Sequence, residues 1–200
     1  MIILASQSPR RSQIMRLVGI EFTCIPSGVE EVIPEGTPIE KQSEYLAGLK
    51  AMDVAAGRGG DIVIGSDTLV EIDGEMLGKP ADEAEAAAML RRLSGRSHKV
   101  YTGVCIVNKG EPISFTSVTK VYFKQLSGEL INWYISTGDT LDKAGAYGIQ
   151  GPGAALIEKI DGDYFTVMGF PIARVMEELE KIYGDMSFAD SGKVGVGFEG

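Results

Sequence analysis

The chain has 200 residues, 44% hydrophobic and 24% charged, the composition of an ordinary soluble globular protein of one domain or two closely joined lobes. Lys and Arg number 19 against 28 Asp and Glu; the net charge of −9 excludes a protein that coats nucleic acid, which needs clustered positive charge. No apolar run is long enough to span a bilayer, and residues 1–5 are too short and lack the basic lead of a secretion signal, so a cytoplasmic protein is expected.

Residues 2–5 read as a buried strand that runs into a helix capped by Ser8, with Pro9 at its first position and an apolar stripe of Ile14, Leu17 and Val18. Thr37-Pro38-Ile39-Glu40 has the spacing of a capping box and opens a second helix reaching about Ala56. Residues 61–65 read as a central strand, broken at Ser66-Asp67-Thr68 and resumed at Leu69. Asp73-Gly74 predicts a tight hairpin between 69–72 and 75–77. Asp82 caps a helix that stops at Ser94-Gly95, and 97–124 is β-rich with a turn at Asn108-Lys109-Gly110. Ser127 starts another helix, and a Gly-rich loop spans 142–153. Asp161-Gly162 predicts a second hairpin between 154–160 and 163–167, and Pro171 opens a last helix to about Tyr183. The aperiodic 185–200 reads as a flexible tail, leaving 1–184 as a single domain of mixed α/β class.

Chemistry concentrates at a few corners. Ser6-Gln7-Ser8-Pro9-Arg10-Arg11 places two arginines in the first turn of a helix, where they oppose the helix dipole. Phosphate oxygens bound by Ser6, Ser8, Arg10, Arg11 and main-chain amides explain that placement; a solvated pair of arginines is the alternative. Asp67, between two hydroxyls, suits metal binding or activation of water, or else an Asx turn. Lys79 on a stiff loop and Lys50 within the second helix can each meet a phosphate as a point charge, and Glu30-Glu31 offers paired carboxylates for a cation, though plain solvation fits all of these. In the Gly-rich loop, Tyr147 offers an aromatic face and Gln150 a two-way amide, a combination suited to a flat heterocycle. His98, the only histidine, is expected to bond locally near Ser97. Trp133 and Tyr134 are expected in the core, as are both thiols, Cys24 and Cys105, whose spacing excludes a C-x-x-C site.

Five ordered segments together resemble the Maf family of nucleotide pyrophosphatases: 4–11, Gly65-Ser66-Asp67-Thr68, Gly78-Lys79-Pro80, 93–103 and 142–151. The resemblance implies an inosine-triphosphatase-like, Ham-type fold: a twisted mixed sheet flanked by helices, with two lobes around a cleft. It implies hydrolysis of a nucleoside triphosphate between the α- and β-phosphates. The 143–151 segment, Lys-Ala-Gly-Ala-Tyr-Gly-Ile-Gln-Gly, is similar to the branch acting on dTTP, UTP and modified pyrimidine nucleotides. Residue by residue, it implies Asp67 as proton acceptor and Arg10, Thr68 and Gln150 as setters of substrate choice. Ser6, Ser8, Arg11, Lys50 and Lys79 then complete the phosphate site, and Glu31 joins Asp67 around Mg²⁺ or Mn²⁺. A homodimer is implied by the same analogy. The chain departs from the family at Ser66, where Ala is frequent, at Gly138-Asp139-Thr140, and at 166–171, where an Asn is lost. The same chemistry on methylated GTP or another nucleotide is the nearest alternative; a nucleotide-binding regulator of septum formation or cell division, without turnover, is the rival from another class.

Overall fold

The computed structural model describes residues 1–184, so the expected tail at 185–200 lies outside the described residues. In chain order the elements are β1 (Ile2–Leu4), α1 (Pro9–Leu17), β2 (Thr23–Cys24), α2 (Ile39–Ala55), β3 (Ile62–Ile72), β4 (Glu75–Leu77) and α3 (Glu83–Leu93). There follow β5 (Ser97–Asn108), β6 (Glu111–Phe123), α4 (Gly128–Ser136), β7 (Ile157–Asp161), α5 (Tyr164–Met168) and α6 (Ile172–Tyr183). The strands form a seven-stranded mixed sheet of order β2-β1-β3-β5-β6-β7, with β4 paired to β3. The class is therefore mixed α/β, as expected.

The chain divides into two compact units. The first takes Met1–Asp67, Gly103–Thr116 and the chain from Gly169 on. Here β1 lies parallel to both β2 and β3, with Ile3 opposite Thr23 and Val63. Its core joins Ile3, Ala5, Val63, Cys105 and Val107 to Ala47, Ala51 and Val54 of α2. That packing depends on missing side chains: a Cβ at Gly65 would collide with the Ala47 carbonyl, and one at Gly103 with the Ser43 backbone. Two glycines on neighbouring strands thus let α2 lie directly on the sheet.

The second unit takes Thr68–Thr102 and Ser117–Met168. Its core gathers Val70, Ile72, Val100, Val121 and Phe123 with Leu90 and Leu93 of α3 and Ile131 and Tyr134 of α4. The local signals for these helices act as expected. Asp82 accepts the Glu85 N–H at 2.8 Å, and Glu85 reaches back to the Ala81 N–H at 2.6 Å. Ser127 accepts the Leu130 N–H at 3.1 Å. Asp73 and Gly74 both take positive φ, 57° and 78°, and connect β3 to β4 as an antiparallel pair.

Several expectations fail, those on the backbone because a side chain finds another partner. Thr37 does not cap α2; its hydroxyl donates to the Pro34 carbonyl at 2.7 Å, and the helix opens after Pro38. The strand at 61–65 does not break at Ser66-Asp67-Thr68: β3 runs unbroken through all three. Ser66 Oγ lies 3.0 Å from the carbonyls of Gly103 and of Gly169, so its hydroxyl is satisfied across the strand rather than by turning the backbone. No hairpin forms at Asp161-Gly162. Asp163 accepts from the Thr166 N–H at 2.6 Å and the Thr166 hydroxyl at 2.7 Å, and the following segment coils into α5. Trp133 is 47% exposed rather than in the core, while Tyr134 beside it is buried. Cys24 is exposed and Cys105 buried.

Candidate active site

The first unit assembles the charged part of the candidate site. Ser8 occupies the N-cap position of α1 with Pro9 after it, yet its side chain makes no capping bond; its own N–H donates to Ser6 Oγ at 3.1 Å. Arg11 Nη1 donates to the same oxygen at 3.1 Å, and its Nε donates to the Gly169 carbonyl at 3.0 Å. The Gly169 oxygen thereby serves both Arg11 and Ser66. Arg10 is half-buried in the same first turn.

Lys50 lies one turn along α2 from the Ala47 contact with Gly65, which carries its side chain to the strand that bears Asp67. Its ammonium sits 2.6 Å from Asp67 Oδ1 and 2.8 Å from Glu31 Oε2. Of the two adjacent glutamates, Glu31 is therefore the one that reaches the cluster. Its loop is anchored to α2 as well: Asp53 accepts from the Ser27 hydroxyl at 2.7 Å and the Gly28 N–H at 3.1 Å. Burial pushes the Asp67 carboxyl above its ordinary range, against the opposing pull of Lys50 and Arg11. Burial likewise draws the Arg11 guanidinium below its usual value, with Asp67 opposing. A buried carboxylate among cations, its proton affinity raised by burial, has the chemistry that a proton acceptor needs.

Whether this set fits a metal ion turns on the carboxylates. Among the described residues no group of three or more His, Cys, Asp or Glu side chains gathers in metal-binding geometry. Asp67 and Glu31 nevertheless reach one common ammonium, so both reach one point. Two carboxylates converging on one cation fit Mg²⁺ or Mn²⁺ whose remaining ligands are water and substrate phosphate.

The second unit holds Thr68, Lys79 and Gln150. Thr68 is half-buried, and its hydroxyl lies 3.0 Å from that of Thr102. Lys79 is exposed on its loop. Gln150 is half-buried, at the start of the short 3-10 turn Gly151–Leu156. The loop before it is pinned by Tyr134, whose hydroxyl accepts the Gly148 N–H at 3.0 Å and lies 3.0 Å from the Asp139 carbonyl. Lys143 spans Asp139 and Asp142 at 2.5 and 2.6 Å.

Tyr147 corrects the sequence reading. It is buried, not a face for a heterocycle: its ring packs edge-on against His98 and Phe123. His98 accordingly does not bond near Ser97; its Nε2 lies 2.6 Å from the Tyr147 hydroxyl. Burial lowers the His98 pKa to about 4 and raises that of Tyr147, so both are neutral at pH 7. Sequence reasoning missed Thr102, Ser66 and the Gly169 carbonyl as members of the site's framework. Thr102 stood within a recognised motif without a role, and no local pattern marks a carbonyl.

Residues 1–182 match the profile of the family described as "Maf-like protein". A protein of Symbiobacterium thermophilum named dTTP/UTP pyrophosphatase is 51% identical over 179 residues, 89% of this chain and 92% of its own length. Proteins of the same name from Bacillus velezensis and Thermococcus gammatolerans are 49% and 51% identical, over 90% and 86% of this chain and 95% and 91% of their own. Among solved structures, the Staphylococcus aureus Ham1 protein is a distant likeness, with 19% identity, a TM-score of 0.43, and coverage of 61% of this chain and 71% of that one.

Proposed function

The chain belongs to the Maf family, and from that premise we propose that it hydrolyses dTTP and UTP to the monophosphate and pyrophosphate. The observation that carries the reading is the buried Asp67 carboxylate, bridged by Lys50 to Glu31 with Arg11 near it. Water attacks the α-phosphorus in line as Asp67 takes its proton, and the bond from that phosphorus to the α–β bridging oxygen breaks. The pyrophosphate leaves with the bond's electrons. Arg11, Arg10, Lys50 and Lys79 meet its charge, and the hydroxyls and amides of Ser6 and Ser8 hold phosphate oxygens at the start of α1. Asp67 and Glu31 would hold the Mg²⁺ or Mn²⁺, which when bound supplies Lewis-acid stabilisation of the phosphate charge. Thr68 and Gln150 recognise the base. Modified pyrimidine triphosphates share the handled groups, which makes the activity a means of clearing nucleotides from the pool.

The test is pyrophosphate release from dTTP, UTP, CTP, GTP and methylated GTP with Mg²⁺ or Mn²⁺, with Asp67→Asn as control. Release confined to dTTP and UTP and lost in the variant is the expected result. Turnover of purines alone would overturn the base assignment, and release that survives Asp67→Asn would overturn the role of Asp67.

A further inference from the structure

Gln150 stands on a loop whose neck is closed by one buried hydroxyl. Tyr134 is fully buried in the core of the second unit, yet its oxygen meets two stretches of loop. It accepts the Gly148 N–H at 3.0 Å. Its single proton goes to Asp139, whose carbonyl and carboxylate oxygens lie at 3.0 and 3.1 Å. Gly153 returns to the same place: a Cβ there would overlap the Gly148 carbonyl and stand 3.1 Å from the Tyr134 oxygen. Residues 148 and 153 are thus the two sides of a neck, and Gln150 lies between them, two residues from the clasped amide.

The segment leading into the neck is held from other sides. The Gly145 N–H donates to the Gly78 carbonyl at 3.0 Å, and the buried Tyr147 has its hydroxyl 2.6 Å from His98 Nε2. Lys143 pairs with Asp139, and its chain lies against Gly148, where a Cβ would meet Cε at 2.9 Å. Ala146, fully buried, takes a φ of 62°, a left-handed conformation that a residue with a side chain keeps only where its surroundings hold it. A backbone kept in an unfavourable conformation by this many partners is pre-organised. Of these partners, Tyr134 holds the residue nearest to Gln150.

We infer that Tyr134 is a positioning residue for base recognition: its hydroxyl fixes the neck of the 148–153 loop, and with it the place from which Gln150 meets the base. The inference rests on the reading of Gln150 proposed above. A hydrogen bond discriminates between bases only where its donor and acceptor are held in direction, because an amide free to move follows whichever edge is offered. Without the hydroxyl the ring still packs, but the Gly148 N–H is released and the loop takes several placements. Affinity for the matching base then falls with the fraction of placements that present Gln150 correctly. Proton transfer at Asp67 does not draw on this loop, so kcat is spared.

The experiment measures kcat and KM for UTP and CTP in the parent chain, Tyr134→Phe, Gln150→Ala, the double variant and Ser127→Ala, with the thermal midpoint of each. Tyr134→Phe keeps the ring. It should lower the UTP/CTP ratio of kcat/KM about tenfold, the share of one directed hydrogen bond, through KM for UTP more than through kcat. In the Gln150→Ala background the same change should leave the ratio where Gln150→Ala alone puts it, because nothing is left to position. Ser127→Ala removes the cap of the same helix, α4, and lowers stability without touching the neck, so the ratio should not move. An unmoved ratio in Tyr134→Phe, a further fall in the double variant, or an equal fall in Ser127→Ala overturns the inference. Hydrogen exchange tests it even where Tyr134→Phe does not fold. In the parent chain the Gly148 amide should exchange about 100-fold more slowly than an exposed loop amide, and fast exchange overturns the inference. Loss of preference in Gln150→Ala without one in Tyr134→Phe sinks the inference alone. A Gln150→Ala chain that keeps the parent's ratio, or a parent chain that releases no pyrophosphate, sinks the underlying reading and the inference with it.

Discussion

The two units of this molecule satisfy their buried polar groups in opposite ways. In the first, charge is gathered: Asp67, Lys50, Glu31 and Arg11 lie within one network, and burial shifts Asp67 up and Arg11 down. In the second, the buried polar side chains are neutral: His98, Thr102, Thr119, Thr140 and Thr166, with His98 held unprotonated by burial. Charges kept at close quarters suit triphosphate and proton transfer, since field strength rises as water is excluded. Neutral donors and acceptors of fixed direction suit a heterocycle, whose edges differ in hydrogen-bond pattern and not in charge. On the proposed function the difference sets proton transfer in the first unit and base recognition in the second, with Lys79 the second unit's share of the phosphate charge, and variants in the two units should fail in different ways.

The largest effect should come from the charged unit. Asp67→Asn is nearly isosteric and removes the proton acceptor, so kcat for UTP should fall by about 10³-fold, within the range of general-base catalysis. KM should change much less. A fall in KM-limited binding with kcat intact would place Asp67 in phosphate binding instead. Lys50→Met should lower kcat by about 10²-fold, and its pH profile is the sharper readout. Lys50 favours the ionised form of Asp67, so removing it raises the Asp67 pKa further. The base form is then lost at a higher pH, and the acid limb of kcat/KM should move upward. A downward or absent shift would contradict the pairing.

How much of this was legible in sequence follows from the range of each interaction. The Asp82 cap and the Asp73-Gly74 turn act within four residues and read correctly. The start of α1 at Ser8-Pro9 read correctly too, and its first-turn arginines, which conflict with local preference, are what led the sequence to a proposed phosphate corner. Ser66-Asp67-Thr68 read as a break because Ser, Asp and Thr favour turns, whereas their partners, Gly103, Gly169, Lys50 and Thr102, arrive from three other places in the chain. Asp161-Gly162 read as a hairpin by the same local rule, and the Asp163 cap two residues on outweighed it. The convergence of Lys50 on Asp67 rests on Gly65 and Gly103 lying under α2, which no periodicity records. His98 and Tyr147 are 49 residues apart, and only the folded core makes them neighbours.

In the neutral unit the effects should be smaller and selective. Gln150→Ala removes an amide able to give one hydrogen bond and take one, so preference for UTP over other bases should weaken by about tenfold to 100-fold while kcat on UTP changes less. The unit-to-unit contrast predicts that its pH profile keeps the parent's acid limb. A moved limb would tie Gln150 to the charged network and erase the division.

The smallest effect concerns stability, and it distinguishes the units by pH alone. His98 is neutral when folded, with a pKa of about 4 against the ordinary 6.5. Between those values the unfolded chain binds a proton that the folded chain does not, so unfolding free energy rises with pH in that window. The stabilisation is complete above pH 6.5 and is lost as pH falls toward 4, by about 1.4 kcal/mol per unit at most. His98→Gln can still meet the Tyr147 hydroxyl but has no proton to gain. The variant should be less stable than the parent at pH 7, since the Phe123–His98–Tyr147 edge contacts are lost, and the gap should narrow by about 1.4 kcal/mol at pH 5.5. Asp67 titrates in the opposite sense: its raised pKa makes acid favour the folded state, so it opposes the His98 slope and remains in both proteins. Denaturation midpoints of the pair at pH 7 and 5.5 therefore isolate His98 by difference, and a gap that does not narrow would mean that the imidazole takes up its proton without leaving the core.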